Sequence, residues 1–308
     1  ATTVPAAATQ GNMLAVPAFA REDVALIPTG LDSPVAFQIA DDSGFYVLGK
    51  DVLTHFARDG RLLESRQIDG NAGALTITQD EILVAVSDGL GRIPREDFQQ
   101  EMALLPFPRG TMATGMAVNQ GIVFVADAAG RRLLRVEEDE VVPFSLTDID
   151  GNTVRLVVPS PYLDVAIGEG RVLMLNNPGA HQIMGVSPGG GLAFAWGTAG
   201  PTHGSFCGCC GPISFAVLPN GQIATAEKGC RRIQLFDADG QWASLVADGD
   251  VFAPADRICD LRGIDPMERW LRVRGAPDGS IWVLERCTGD LLRFEVKATG
   301  SQSPEVVT

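Results

Sequence analysis

Sixfold recurrence of short apolar segments, tight-turn dipeptides between them, and scarce helix signals predict an all-β chain: a six-bladed β-propeller in one domain spanning residues 1–308. The segments recur every 40–55 residues or so, which is blade spacing. Asn-Gly and Asp-Gly pairs mark the turns, because a tight hairpin needs positive φ at its centre. With 35 glycines and 19 prolines, the composition favours many turns over long helices.

The units follow in order. The first runs Val35–Ala40, Phe45–Leu48, Val52–Phe56 and Arg61–Ile68, with turns at Asp41-Asp42-Ser43-Gly44 and Arg58-Asp59-Gly60. The second extends from about Ala72 to Leu105, and the third from Gly115 to Phe144. The fourth, from Leu163 to Trp196, is with the second the least regular. The fifth runs Ile213–Leu218, Gln222–Ala226, Arg232–Phe236 and Gln241–Ala247, turning at Asn220-Gly221 and Asp239-Gly240. The sixth begins at Trp270 and has three strands of its own, ending Leu291–Val296. A strand around Val24–Ile27 is placed to supply its fourth and close the ring, leaving no open edge. Residues 1–22 form an N-terminal arm and 299–308 a C-terminal tail. No helix longer than two turns is expected; Arg95–Ala103 is the best short candidate. A two-sheet sandwich fits the even recurrence less well.

The net charge of −14 argues against nucleic acid, which needs a basic surface. It suits solubility, or docking of a basic redox protein such as a small cytochrome. No apolar run reaches the length of roughly 18 residues needed to span a membrane. The opening Ala1-Thr2-Thr3 and the small, apolar residues through Gln10 resemble a chain whose signal peptide has been removed. Six cysteines, an even number, fit an oxidising compartment, and together these predict a periplasmic or secreted protein.

The stretch Phe206-Cys207-Gly208-Cys209-Cys210-Gly211-Pro212, then Phe215–Gly221 and Thr225-Ala226-Glu227-Lys228-Gly229, resembles the NHL-repeat propellers. It is most similar to an exported bacterial branch with Gly-Cys-Cys-Asn-Pro ahead of the same blade. Leu235–Gly240 fits the same pattern, and the close likeness covers about 45 residues of this chain. Gly211 stands where that branch usually has Asn, and Cys207 and Cys230 are additional. The resemblance implies a propeller that more often binds partners than catalyses.

In a blade, strands A to D run from the channel outward. Loops entering A and the B–C loops share one face; A–B and C–D turns share the other. Cys207, Cys209 and Cys210 precede strand A of blade five, and Cys230 lies in its B–C loop. Cys259 enters blade six and Cys287 lies in the B–C loop there, so all six cysteines fall on one face of two blades. Three readings stay open. In the first, Cys259 bonds Cys287, one of Cys207, Cys209 and Cys210 bonds Cys230, and Cys209-Cys210 closes as a vicinal pair. In the second, Cys207, Cys209, Cys210 and Cys230 hold an iron–sulfur cluster, zinc or copper, four thiolates being the required number. His203 and His181 are candidate additional metal ligands on the same face. In the third, a thiol pair is redox-active. Lys228, Arg231 and Arg232 beside Cys230 are candidates to lower a thiol pKa or bind an anion, and Glu227 to pair with Lys228. His55, on an outer strand, reads as structural.

No nucleophile elbow, phosphate loop or dinucleotide fingerprint is present in the sequence. Metal-dependent lactonase propellers place Glu, Asn and Asp at the channel mouth, and Asp127 with Asn176 or Asn177 would be an incomplete version of that set. Asp164 and Asp51 are scattered carboxylates. The leading expectation is a cell-envelope binding or redox-accessory propeller; the alternative is a metal-dependent lactonase or esterase acting in the central channel.

Overall fold

Each turn dipeptide that the sequence places between apolar runs closes a hairpin in the computed structural model, which describes residues 19, 23–32, 34–40, 44–265 and 269–295. Nearly all of the arm at 1–22, and the tail at 299–308, lie outside the described residues, as does the turn at 41–43. The strands form six four-stranded antiparallel sheets, confirming the six-bladed propeller.

Strand β1 (Ala25–Pro28) belongs to the last blade. Blade one is β2 (Ala36–Ile39), β3 (Phe45–Leu48), β4 (Val52–Phe56) and β5 (Leu62–Gln67). Blade two is β6 (Ala72–Ile77), β7 (Glu81–Val86), β8 (Gly89–Pro94) and β9 (Ala103–Pro106). Blade three is β10 (Ala113–Asn119), β11 (Ile122–Asp127), β12 (Arg132–Glu137) and β13 (Glu140–Phe144). Blade four is β14 (Val165–Ile167), β15 (Leu173–Asn177), β16 (Gln182–Val186) and β17 (Leu192–Trp196). Blade five is β18 (Ser214–Val217), β19 (Ile223–Glu227), β20 (Arg232–Phe236) and β21 (Trp242–Ala247). Blade six is β22 (Leu271–Gly275), β23 (Ile281–Glu285) and β24 (Asp290–Phe294), completed by β1. The pairing Ala25 with Arg293 through Pro28 with Asp290 closes the ring as expected. It also removes the open edge that would otherwise invite pairing with another chain.

Both faces of most strands are buried, because each blade is sandwiched between two others. Alternate residues of β19 therefore serve different neighbours. Ile223 packs with Met174 and Ile183 of blade four, while Ala224 and Ala226 pack with Leu271 and Val273 of blade six. The second and fourth blades prove as complete as the rest. His55 stacks on Tyr46 within blade one, ring centroids 4.2 Å apart, in keeping with a structural role.

Two helix expectations are corrected. Residues 95–102 form turns, with Gln100 N–H donating to the Asp97 carbonyl, and Ala103 opens β9. A 13-residue helix, α1 (Gly249–Leu261), sits between blades five and six. The Asp248 side chain caps it by accepting from the Asp250 N–H. Its Val251, Phe252, Ala255 and Cys259 form one buried face, packed mainly against blades five and six. Gly249 and Pro254 hide this helix from a propensity argument; tertiary burial of the apolar face outweighs them.

Candidate functional site at the cysteine-bearing face

Blade five positions the cysteine loop through a buried polar knot. Glu227 ends β19 and Arg232 begins β20, directly opposite in the register. Arg232 Nε donates to Glu227 Oε1 at 2.9 Å, and its Nη2 reaches the Ser205 carbonyl at 2.7 Å. Gln234 Nε2 donates to the same Glu227 oxygen and to the Ser205 carbonyl. Glu227 Oε2 accepts from the Cys207 N–H at 2.7 Å. A fully buried carboxylate is tolerated here because an Arg and several donors surround it. Glu227 therefore holds the loop through Arg232, not Lys228. Arg231 is likewise engaged: its Nε lies 2.8 Å from Asp256 Oδ1 of α1 and its Nη2 3.5 Å from Glu285 Oε1. Burial lowers its pKa, and the two carboxylates oppose that shift.

The cysteines resolve as follows. Cys207 bonds Cys230, with Cα atoms 5.8 Å apart, and Cys259 bonds Cys287 at 5.2 Å. The first ties the loop to the B–C loop of blade five; the second ties α1 to that of blade six. Bonding of Cys207 to Cys230 removes two members of the four-thiolate set, so that ligand set is not assembled in this disulfide-bonded form. Nor is a vicinal ring closed. Cys209 and Cys210 are free thiols with their sulfurs 3.8 Å apart, Cys209 exposed and Cys210 buried. Cys210 Sγ lies 3.1 Å from Ser160 Oγ, and burial pushes its thiol pKa up, with the Ser160 hydrogen bond opposing.

The loop lies close against its neighbours. A side chain at Gly229 would meet the Cys207 carbonyl oxygen at 2.7 Å and Gly208 Cα at 2.9 Å, so the Gly-rich spacing is steric in origin. Gly211-Pro212 is cis, and the Gly211 N–H donates to the Pro178 carbonyl. Lys228 Nζ sits 5.1 Å from the Tyr162 ring centroid. His181 Nε2 hydrogen-bonds the Gly208 carbonyl at 3.0 Å, placing it beside the cysteine loop. His203 instead stacks on Trp242 of the outer strand β21, centroids 5.7 Å apart, and burial followed by the Arg232 charge lowers its pKa. Among the described residues no group of three or more His, Cys, Asp or Glu side chains is arranged to hold a metal ion.

The residues considered for the lactonase alternative make the following hydrogen bonds. Asp127 accepts from the Met112 and Gly130 N–H groups and from Arg132 Nε. Asn177 Oδ1 accepts from the Val157 N–H. Asn176 accepts from the Asp164 N–H and donates to the Pro212 carbonyl. All three are occupied in holding loops. The channel is crossed instead by Arg272 and Arg274 of β22, alternate residues that share one face of the strand. Arg274 Nη1 donates to Asp164 Oδ2 at 3.0 Å, and Ser214 Oγ donates to the same oxygen at 2.8 Å. Arg272 Nη1 donates to the Thr114 carbonyl at 2.7 Å, and its guanidinium stacks over Trp270. Burial pushes the Arg272 pKa down to about 10, with Asp164 opposing. Below this plug, on the A–B side, lies a cavity of about 210 Å³ lined by Gln38, Thr76, Met116, Ala166, Ala216 and Arg274, one residue from each blade.

Sequence reasoning missed Ser160 and Tyr162, which lie in an irregular connection without motif, and the Arg272/Arg274 pair. The alternation of arginines with Leu271 and Val273 was the available signal for the latter.

No family model matches the chain, and no curated protein matches it. Solved structures do. Virginiamycin B lyase from Staphylococcus aureus is similar over 89% of this chain and 99% of its own, with 12% identity and a TM-score of 0.58. A calcium-binding regucalcin from Agrobacterium tumefaciens covers 87% and 90%, at 12% identity and a TM-score of 0.59. A protein of unknown function from Bacteroides thetaiotaomicron covers 86% of this chain and 69% of its own, at 11% identity and a TM-score of 0.62. At these identities the likeness is one of fold: this chain shares the propeller architecture of proteins whose chemistry differs.

Proposed function

We propose that this protein is an exported binding propeller whose cysteine-bearing face works as a redox accessory, with Cys209 and Cys210 as its reactive pair. The observation that carries this reading is the 3.8 Å separation of an exposed and a buried thiol beside a formed disulfide. Two disulfides fit an oxidising compartment, and the NHL-like loop fits the exported branch it resembles.

The chemistry is thiol–disulfide exchange. The Cys209 thiolate attacks one sulfur of a partner's disulfide; the other sulfur leaves as a thiolate and takes up a proton. The Cys210 thiolate then attacks the Cys209 sulfur of the mixed disulfide. This forms a Cys209–Cys210 disulfide and releases the partner's second thiol. The partner gains two electrons and two protons, and the pair loses them.

Charge distinguishes the B–C loops from the C–D turns. The B–C loops carry Lys50, Arg131, Lys228, Arg231 and Arg286 against Asp51 and Asp88. The C–D turns carry Asp59, Glu96, Asp97, Glu101, Glu138, Asp139, Asp237 and Asp239 against Arg58, Arg61 and Arg95. A basic partner such as a cytochrome therefore suits the C–D turns.

Oxidised glutathione tests the reading, followed by intact mass under non-reducing conditions. Cys210→Ser should hold one glutathione adduct and Cys209→Ser none, while the wild type should lose two hydrogens without retaining an adduct. A stable adduct on the wild type overturns the redox role. Isolation of the protein with stoichiometric iron, zinc or copper and Cys207–Cys230 open replaces it with the four-thiolate centre. The hydrolase alternative gains if lactone or ester hydrolysis appears with added divalent metal and is abolished by chelation.

A further inference from the structure

We infer a second binding site, for a small organic anion with an apolar body, in a cleft on the flank of blade three. The cleft has a volume of about 360 Å³ and lies between β12, β13 and the connection leading to blade four. Arg131, Arg132 and Arg155 line it together with Leu133, Phe144 and Leu156, and none of its lining residues is acidic. In a chain of net charge −14, three guanidinium groups around one cleft without a lining carboxylate need an explanation.

The other arginines show what is unusual. Arg231, Arg232 and Arg274 each have a carboxylate partner, and so does Arg132, through its Nε to Asp127. The side chains of Arg131 and Arg155 make no hydrogen bond or ion pair among the described residues, and both are exposed. Arg131 is held at φ 51, a left-handed position, in the tight β11–β12 turn, so its side chain is carried at a fixed place on the rim. Leu133 and Leu156 are buried members of the core between blades three and four, and Phe144 packs against it. They give the cleft a rigid apolar wall.

Guanidinium groups recognise carboxylates and sulfonates through paired N–H donors, while apolar walls take up a ring or short alkyl chain. The volume falls in the lower range of small-molecule sites, which are mostly apolar with a few placed polar groups. The ligand class that fits is an aromatic or short-chain carboxylate. The site is separate from the cysteine loop and independent of the redox reading.

Titration calorimetry with phenylacetate tests the site, with phenylethanol and inorganic phosphate as separate arms. Arg131→Gln and Arg155→Gln replace exposed, unpaired side chains and should leave the melting temperature unchanged. We expect saturable phenylacetate binding, weakened about tenfold by either substitution and lost in the double variant. Phenylethanol and phosphate should each bind at least tenfold more weakly than phenylacetate. Absence of saturable binding overturns the proposal, as does equal binding by the double variant. Phosphate binding as tight as phenylacetate overturns the apolar part of the ligand assignment.

Discussion

Arg272 of blade six donates from Nη1 to the backbone carbonyl of Thr114 in blade three at 2.7 Å, joining opposite blades across the central channel. Next to it, Arg274 binds Asp164 of blade four. Arg274 thus pairs with a fully buried carboxylate whose charge also favours the nearby Arg272 cation. The arrangement supplies rigidity to the ring.

This arrangement predicts an ordering of stabilities. Asp164→Asn leaves both guanidiniums without their counter-charge, and breaking a buried pair in this way costs about 3–5 kcal/mol. Arg272→Met removes a cation whose lowered pKa already reports poor solvation, and replaces its stack on Trp270 with thioether packing against the same ring. Its cost should be about 1 kcal/mol or less, since replacing a buried charge by an apolar side chain is often near neutral. Urea midpoints of the two variants test the ordering; an equal or larger loss for Arg272→Met would show that the bond to Thr114 dominates.

The uneven legibility of the sequence has a physical basis. Blade boundaries were readable because local chemistry sets them: Asn220-Gly221 and Asp239-Gly240 adopt their turns wherever they stand, with φ of 81° and 79° at the glycines. Pairing of Cys259 with Cys287 followed from blade geometry, which brings a loop entering strand A beside a B–C loop. The helix α1 was not readable, because Gly249 and Pro254 conceal a buried face that forms only against the blades. The bond from Arg272 to Thr114 joins residues 158 apart, and no local pattern encodes it. Whether Cys209 and Cys210 are bonded or free depends on a loop conformation set by Glu227, Ser160 and Pro178, which spacing alone does not specify.

The bond between Cys259 and Cys287 predicts where reduction acts. It closes a loop with a sequence separation of 28 and pins the end of α1 to blade six. In the chain-entropy account a loop of that size contributes about 3–4 kcal/mol. The double variant Cys259→Ser/Cys287→Ser should lose stability of that order. Limited proteolysis should then cut first within residues 249–265. The equivalent change at Cys207 and Cys230 should instead release the 201–212 loop and leave α1 protected. First cleavage in the same place for both variants would contradict the separate roles.

His203 gives the pH dependence a sign. Burial against Trp242 and the charge of Arg232 lower its pKa below 6.5, so the folded state binds its proton less readily than the unfolded chain. Stability from this residue is complete above about pH 6.5 and falls as the pH drops from there through the folded value, because the unfolded state then holds more protons. His203→Gln removes that linkage. The stability advantage of the wild type over the variant should therefore shrink between pH 7.5 and pH 5, measured by urea unfolding. A proton titration of the His203 ring by NMR should place its midpoint below that of a free histidine; a midpoint above it would reverse the sign and refute the stack as a desolvating contact.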